Sequence, residues 1–292
     1  MADQPSGAAN SASDVVTRTP TALGFLTAKL ESLRKERGLS FEALGKQVGY
    51  DRADLHKLEK GVKLCSDYVI ARLDGFYGTG DTLSMLLQLA RAEGLRDTYK
   101  AYRSLEESAA VLHEYVMGSI PGLLQTETYA RALLRTAPAW DEREFEATVA
   151  DRIARQKRLT SSNPVHYRVI LDESCLCRMT VTHDAEDIRA EQLRHLCTAA
   201  QLWNVTIEVL PHAAGLHNLM DSNLTLLWQP DGRHHAYQEG SHSARLLEEA
   251  NGVAELRLSY DALRNATLRP GESLEFLRQM EARATCSPPG LT

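Results

Sequence analysis

The sequence predicts two folds in one chain: an all-α N-terminal part of five short helices, and a C-terminal α+β part with a mixed sheet packed by helices. In residues 20–92, leucine and valine recur at helical spacing between glycines, which is typical of short helices joined by tight turns. From about residue 166 the spacing of the hydrophobic residues changes, and runs rich in β-branched residues alternate with helical segments. With 292 residues, 43% of them hydrophobic, the chain can bury two cores.

The five predicted N-terminal helices are delimited by their apolar spacing and by glycines at their ends. They cover about residues 21–37, 41–48, 51–60, 66–77 and 83–92. Ser40 is predicted to be the N-cap of the second helix. Gly49 supplies the turn before the third, because a following helix at a steep angle needs backbone freedom there. The segment from Phe41 to Gly61 is therefore predicted to be two short helices around a tight turn.

Two helices joined in this way commonly present the second helix to the major groove of DNA. This predicted recognition helix nevertheless begins with Asp51 and carries Asp54, although DNA is a polyanion. Asp51 is interpreted as an N-cap that complements the helix dipole, although an aspartate can also accept a hydrogen bond from cytosine N4. Asp54 is predicted to pair with Lys57. A third alternative is that DNA affinity is reduced and the domain depends on a dimer or a partner.

Charge in this region is nearly balanced. Residues 20–85 contain 10 Lys/Arg and 9 Asp/Glu, a sum of +1, in a chain whose formal net charge is −6. Because DNA affinity rests largely on phosphate neutralisation, this sum is low for a single copy. Six of the positive residues fall near helix ends and in the loop after the third helix, where phosphates are expected to pass: Arg34, Lys35, Arg37, Lys57, Lys60 and Lys63. We therefore expect a homodimer, in which two half-sites double the contacts.

The ordered set of these residues resembles the helix-turn-helix domain of the XRE (phage-repressor-like) family. The resemblance is carried by Leu39-Ser40, Leu44, Val48-Gly49 and the run Leu55–Gly61, where the family usually has apolar-x-x-apolar-Glu-x-Gly. It implies DNA base contacts from Tyr50, Asp51, Arg52, Ala53 and Lys57, and DNA backbone contacts from Ser40, Lys60 and Lys63. Phe41 departs from the pattern, since the family usually has a Gln there that buttresses the recognition helix.

The remaining two-thirds of the chain alternate between helical and strand-like segments. Helices are predicted over about residues 96–110, 126–134, 149–160, 185–203, 252–268 and 273–281. Strands are predicted over about residues 166–176, 205–211, 222–230 and 234–240. One crossover followed by a meander implies a mixed sheet packed by helices, which is an α+β arrangement.

This part resembles the large C-terminal domain of a bacterial family of XRE-type, antitoxin-like (WhiJ-like) transcriptional regulators, several of them linked to developmental control. The segments that carry the resemblance are "PGLLQTETYA", "RIARQKRL", "ILDES", "EQLRHL", "VTIEVLP" followed by "AGLH", and "YQEG", which stands where Tyr-x-Glu is usual. With the N-terminal match, the resemblance covers about residues 20–282. It implies a regulator, commonly encoded beside a small partner protein, and it supplies no chemistry.

Cysteines and histidines in this part invite a metal-site interpretation that their spacing does not favour. They are Cys175-x-Cys177, His195-x-Cys197 and the histidines at 183, 212, 217, 234, 235 and 242. A zinc site needs three or four ligands in tetrahedral array, and CxC spacing is less usual than CxxC. Buried structural cysteines and scattered surface histidines are the favoured interpretation, so we expect no metal and no cofactor.

Asp172 and Glu173 follow a predicted strand and, in the family pattern, lie near Arg152 and Arg155. Three interpretations stay open. Ion pairs that hold a helix to the sheet are favoured over a pocket for an effector or partner, and acid–base chemistry is the least favoured. No nucleophile–base set is visible, and the GxSxG, P-loop and Rossmann glycine patterns are absent. We therefore expect no catalytic residues.

The sequence thus predicts a sequence-specific transcriptional regulator that is not an enzyme. The predicted domains are a flexible N-terminus (1–19), the helix-turn-helix domain (20–92), a helical linker (93–112), an α+β sensor or interaction domain (113–283) and a flexible tail (284–292). Five sparse cysteines favour a location in the reducing cytoplasm. When it is bound to DNA, the protein is expected to associate with the nucleoid. No apolar run approaches the roughly 18 residues of a membrane span, so no membrane partner is expected.

The predicted partners are double-stranded DNA, a second copy of the chain and a small protein encoded by a neighbouring gene. Two alternatives remain. One is an antitoxin-type protein whose main task is to neutralise that small neighbour. The other is a hydrolase-like enzyme with an appended DNA module.

Overall fold

The computed structural model describes residues 21–137, 141–178, 188–240 and 243–286. The chain divides into two compact units, Met1–Arg96 and Asp97–Thr292. The first unit is all-α, and the second combines a six-stranded mixed sheet with helices. Both predicted fold classes are confirmed. None of the helices in the described ranges is long and apolar enough to span a lipid bilayer.

Five helices form the first unit around a leucine-rich core. They are α1 (Ala22–Glu36), α2 (Phe41–Val48), α3 (Arg52–Glu59), α4 (Asp67–Tyr77) and α5 (Thr82–Ser108). The side chains of Thr21, Ser40 and Asp51 cap the first three helices by accepting backbone N–H groups of the opening turn. Leu26 and Leu58 are among the most deeply buried residues of this core. Its burial fixes α3 against α1 and α2.

Helix α5 is longer than predicted. The sequence predicts helices over 83–92 and 96–110, whereas the structure has one helix of 27 residues. A lone Gly94 in the gap costs about 1 kcal/mol relative to Ala and, without a proline nearby, does not end a helix. Val111 and Leu112, which the prediction places in the linker, lie in the first strand of the sheet.

The second unit is built on one sheet. Its strands are β1 (Val111–Val116), β2 (His166–Asp172), β3 (Val205–Leu210), β4 (Asn223–Trp228), β5 (His234–Gly240) and β6 (Ser243–Leu247), in the order β3-β2-β1-β4-β5-β6. β1, β2 and β3 pair in parallel, and β4, β5 and β6 add antiparallel strands on the other side of β1. The sequence analysis missed β1, which follows α5 closely, and the short β6.

Helices cover both faces of this sheet. They are α6 (Glu127–Leu134), α7 (Glu142–Arg155), α8 (Glu173–Cys177), α9 (Ile188–Ala199), α10 (Ala250–Arg264) and α11 (Pro270–Cys286), besides the end of α5. Leu112 and Val169 lie in the core that includes α9 and α11. Tyr115 and Ile170 point the other way, into a core with Tyr260 of α10. The alternation follows the period of two along each strand.

The predicted strand over 166–176 is too long. β2 ends at Asp172, whose carboxylate accepts the backbone N–H of Ser174 and starts the short helix α8. An Asp side chain that accepts a nearby backbone N–H favours the start of a helix over a longer strand, and at Asp172 the helix cap forms. Cys175 and Cys177 are therefore helical and do not share a strand face.

Candidate nucleic-acid interface

The turn between α2 and α3 depends on two glycines. Gly49 ends α2 in the left-handed conformation, at φ +64°. Glycine adopts this conformation without the steric cost that a residue with a Cβ atom would have. Gly45, inside α2, lies so close to the turn that a Cβ on it would be 2.6 Å from the Tyr50 carbonyl oxygen. The sequence analysis did not single out Gly45. Its signal is a glycine inside a short helix, where glycine otherwise lowers stability.

Asp51 is the N-cap of α3, as predicted. Its Oδ1 atom accepts the backbone N–H groups of Ala53 at 2.7 Å and Asp54 at 3.2 Å. Both bonds use one carboxylate oxygen, so Oδ2 takes part in neither. The cap accounts for an acidic residue at this end of a recognition helix, because the helix dipole is positive there. The base contact implied for Asp51 stays a prediction.

Two substitutions of Asp51 distinguish its role as an N-cap from the effect of its negative charge on DNA binding. We expect Asp51→Asn to keep the stability of the first unit, because asparagine caps as well as aspartate, and to raise DNA affinity modestly by removing a negative charge. Asp51→Ala removes the cap and is expected to cost about 1 kcal/mol of unfolding free energy. Urea unfolding and DNA titrations at two salt concentrations measure both effects. Weaker DNA binding by the Asn variant would instead indicate that the carboxylate contacts a base.

Asp54 holds two lysines at the end of the recognition helix. Its Oδ1 lies 3.9 Å from Lys57 Nζ, the predicted pair, and 3.3 Å from Lys63 Nζ, which the sequence analysis did not pair with it. All three side chains are substantially exposed, so the pairs contribute little to stability. Their effect is to gather two positive charges beside α3.

Arg34 is not available to DNA phosphates, contrary to the sequence prediction. Its guanidinium forms a two-pronged pair with Glu59 of α3, with N–O distances of 2.8 and 2.7 Å, and Nη1 donates to the Leu39 carbonyl oxygen at 3.0 Å. The two side chains are only 15% and 5% exposed. The Glu in the family pattern apolar-Glu-x-Gly is thus an internal anchor for the recognition helix.

Phe41 contributes to the same anchor. Its ring meets the His56 ring of α3 edge-on, with 5.2 Å between centroids, and the Arg34 guanidinium lies 4.2 Å from the Phe41 centroid. Phe41 therefore contacts α3 through an aromatic ring in place of the Gln that is usual in the family.

The exposed face of this region matches several residues that the resemblance implies. Arg52, Ala53 and Lys60 are exposed, and Tyr50 is half-buried. No hydrogen bond or ion pair engages the side chain of Arg52 or Lys60 within the described ranges, so both charges are free for a ligand. Ser40 Oγ accepts the Ala43 N–H at 3.1 Å, and its own O–H can still donate.

The four residues predicted to share a pocket in the second unit have separate partners. Arg155 pairs with Glu106 of α5, at 2.8 and 3.1 Å, and Arg152 donates to Gln125 at 3.0 Å. Asp172 caps α8, and Glu173 accepts the His212 backbone N–H at 2.8 Å. Among the described residues no ion pair joins either arginine to either carboxylate, so the favoured ion pairs between them are not formed, and a shared pocket stays a prediction. Local capping and loop contacts engage the two acids.

The cysteines and histidines form no metal site within the described ranges, where no cluster of three potential ligands exists. Cys175 is buried, and its thiol donates to the Val116 carbonyl oxygen at 3.4 Å. Burial raises the pKa of that thiol to about 12, which keeps it protonated. His183 and His242 lie outside the described residues.

Two family models match the chain. A helix-turn-helix domain model matches residues 26–87, and the model of a domain of unknown function, DUF5753, matches residues 99–279. The second match covers 181 of the 292 residues. A comparison with curated proteins found no match. The first unit is thus a helix-turn-helix domain, and such a domain indicates a DNA-binding regulator.

Proposed function

The chain belongs to the DUF5753 family, and from this premise and its helix-turn-helix domain we propose that it is a sequence-specific transcriptional regulator. Recognition helix α3 enters the major groove of double-stranded DNA. Tyr50, Asp51, Arg52, Ala53 and Lys57 contact base edges, and Ser40, Lys60 and Lys63 contact the DNA backbone. The protein acts in the cytoplasm, at the nucleoid, and has no catalytic activity of its own.

The observation that carries this proposal is that the acidic side chains around α3 have partners within the domain, whereas two basic side chains do not. The carboxylate of Glu59 is engaged in a buried pair, one oxygen of Asp51 is engaged in the cap, and Asp54 is paired with Lys57 and Lys63. The two unpaired cations, Arg52 and Lys60, lie at opposite ends of the same helix and are exposed. This arrangement supports one base-reading and one phosphate-binding position.

A homodimer follows from the small number of free charges. With Arg34 engaged by Glu59, one copy loses one of the six positive residues predicted to lie near phosphates, while the sum of +1 is unchanged. Two copies on half-sites about one helical turn apart double the phosphate contacts. The C-terminal domain then binds a small protein, encoded by a neighbouring gene, or a small effector, and so adjusts DNA binding.

Arg52 and Lys60 are expected to contribute differently to DNA binding. Arg52→Ala should relax sequence preference, with a loss of about 1–3 kcal/mol confined to preferred sites. Lys60→Ala should weaken binding to all sequences about equally and reduce the salt slope by about one. Selection from a random DNA library, followed by titrations at several salt concentrations, measures both. Lys29→Ala, an exposed lysine of α1, is the matched control.

Equal losses in both variants on every sequence would contradict the assignment of roles. Absence of preference for any fragment in the parent protein, its own promoter included and at modest salt, would contradict the proposed function itself.

A further inference from the structure

Glu114, in the middle of the sheet, is not fully covered by the helices of the C-terminal domain. Glu114 belongs to β1, the third of six strands, and its same-face neighbours Leu112, Val116 and Thr225 are buried. Glu114 itself keeps accessible surface. A residue at a central strand position can do so only where the covering helices leave a gap above it. We infer from this a gap beside Glu114 in an otherwise closed core.

The groups around this gap are mostly polar. Tyr167 donates its hydroxyl to Glu114 Oε2 at 2.5 Å. Burial raises the pKa of Glu114 to about 7, the Tyr167 hydrogen bond opposes this, and the nearby Glu106 carboxylate adds to it. Glu106 is itself neutralised by its two-pronged pair with Arg155. Glu114 thus forms no direct ion pair within the described residues, although the Arg155 guanidinium lowers its pKa.

Arg152 brings an unmatched positive charge to the same region. Its Nη1 donates to Gln125, a neutral amide, and no carboxylate of the described residues lies within ion-pair distance of its guanidinium. Burial lowers its pKa, and the Glu239 carboxylate is among the groups that oppose this shift. Arg155, one turn further along α7, is by contrast fully engaged. A half-buried guanidinium without a carboxylate is costly unless a ligand supplies one.

Tyr237 provides a buried hydroxyl beside the Glu239 carboxylate. The side chain is 3% exposed, and its ring stacks on Tyr102 with 4.1 Å between centroids. Its hydroxyl makes no hydrogen bond of normal geometry with any described residue. Burial, followed by the Glu239 carboxylate and the Tyr99 hydroxyl, raises its pKa, so the hydroxyl lies on the side of Glu239. Tyr237 and Glu239 therefore present a hydroxyl and a carboxylate side by side on β5.

We propose that Glu114, Arg152, Tyr237 and Glu239, the "Glu114 cluster", bind a small zwitterion, a free amino acid or a short peptide. Its carboxylate pairs with Arg152, and its ammonium group lies between Glu114 and Glu239, with Tyr237 as a further hydrogen-bond partner. A simple anion would meet the two glutamates, and a simple cation would meet Arg152. A zwitterion matches both signs at once.

Three segments that are distant in the chain converge on the cluster. Gln125 belongs to "PGLLQTETYA", Arg152 to "RIARQKRL", and Tyr237 and Glu239 to "YQEG". Binding at this point therefore connects the segment before α6 with α7 and β5. The role of the ligand as an effector rests on the proposed regulatory function, whereas its binding does not.

Binding is tested on the full chain without DNA. Isothermal titration uses each of the twenty L-amino acids and a set of dipeptides, up to about 10 mM, which covers weak small-molecule affinities. The N-acetyl and amide derivatives of each binder serve as probes of the two charges. We expect at least one zwitterion to bind and both blocked forms to lose about tenfold or more in affinity. Dipeptides binding where free amino acids do not would identify the peptide as the source.

Variants locate the site. Arg152→Gln and Glu239→Gln are expected to weaken the binder about tenfold or more, each abolishing the discrimination against one blocked form. Arg143→Gln, an exposed arginine on the same helix α7, should bind as the parent does. No binding by any probe, or equal binding of blocked and free forms, overturns the proposal. Because DNA is absent, that failure is distinct from a failure to recognise an operator.

Discussion

Glu59→Ala is expected to lower the unfolding free energy of the helix-turn-helix domain by about 3–5 kcal/mol, since it leaves the Arg34 guanidinium buried and unpaired. A loss of this size removes much of the stability of a small domain. All three tryptophans lie beyond residue 96, so their fluorescence reports only the second unit. Loss of helical circular dichroism at lower urea, with native tryptophan fluorescence, is the expected result.

Two companion variants make this prediction sharp. Glu42→Ala removes a glutamate whose pair with Lys46 is exposed, and it should change stability by no more than about 0.5 kcal/mol. Arg34→Met combined with Glu59→Leu replaces the whole buried pair and should recover most of the loss. If the single and double variants are equally unstable, the pair is not the anchor of α3.

Glu114→Gln is expected to stabilise the C-terminal domain above neutral pH. The pKa of Glu114 is about 7 in the folded protein against an ordinary 4.5, so the folded state holds a proton that the unfolded chain releases. The unfolding free energy therefore falls as pH rises from about 4.5 to about 7, and the full loss, about 3 kcal/mol, is present above that range. Glutamine stays neutral and keeps the Tyr167 hydrogen bond, so the variant escapes this loss.

Tryptophan-detected urea unfolding at pH 5 and pH 8 measures the effect. The groups facing Glu114 are Glu106 of α5, Arg155 of α7, Tyr167 of β2 and Glu239 of β5. Glu107→Gln, at an exposed site on α5, is the matched control. A Glu114→Gln protein that loses stability with pH as steeply as the parent would show that another group carries the titration.

Features that depend on neighbouring residues were predictable from the sequence. Ser40 and Asp51 cap helices because the backbone N–H groups they accept lie two or three residues away. The turn at Gly49 and the inward leucines follow from the same short-range rules. The partner of Arg34, by contrast, is 25 residues distant, and only the packed fold brings Glu59 to it.

Of the candidate site in the C-terminal domain, the sequence indicated Arg152 but not Glu114. Arg152 was singled out, but the ion pairs expected with Asp172 and Glu173 are not formed, because α8 and the loop at His212 engage these two acids. Glu114 was invisible, since β1 itself was missed. Its position opposite Tyr237 across β4 follows from a strand order that places β1 in the centre of the sheet, which no local pattern specifies.

The close approach at Gly45 has a consequence for genetics. Every single-base change that replaces glycine by another residue introduces at least a Cβ atom, and here that atom would lie 2.6 Å from a main-chain oxygen, not from a movable side chain. Even the smallest available replacement must therefore displace the segment that aims α3. A forward screen for alleles that no longer recognise their operator should recover codon 45 repeatedly, with proteins that still accumulate in the cell.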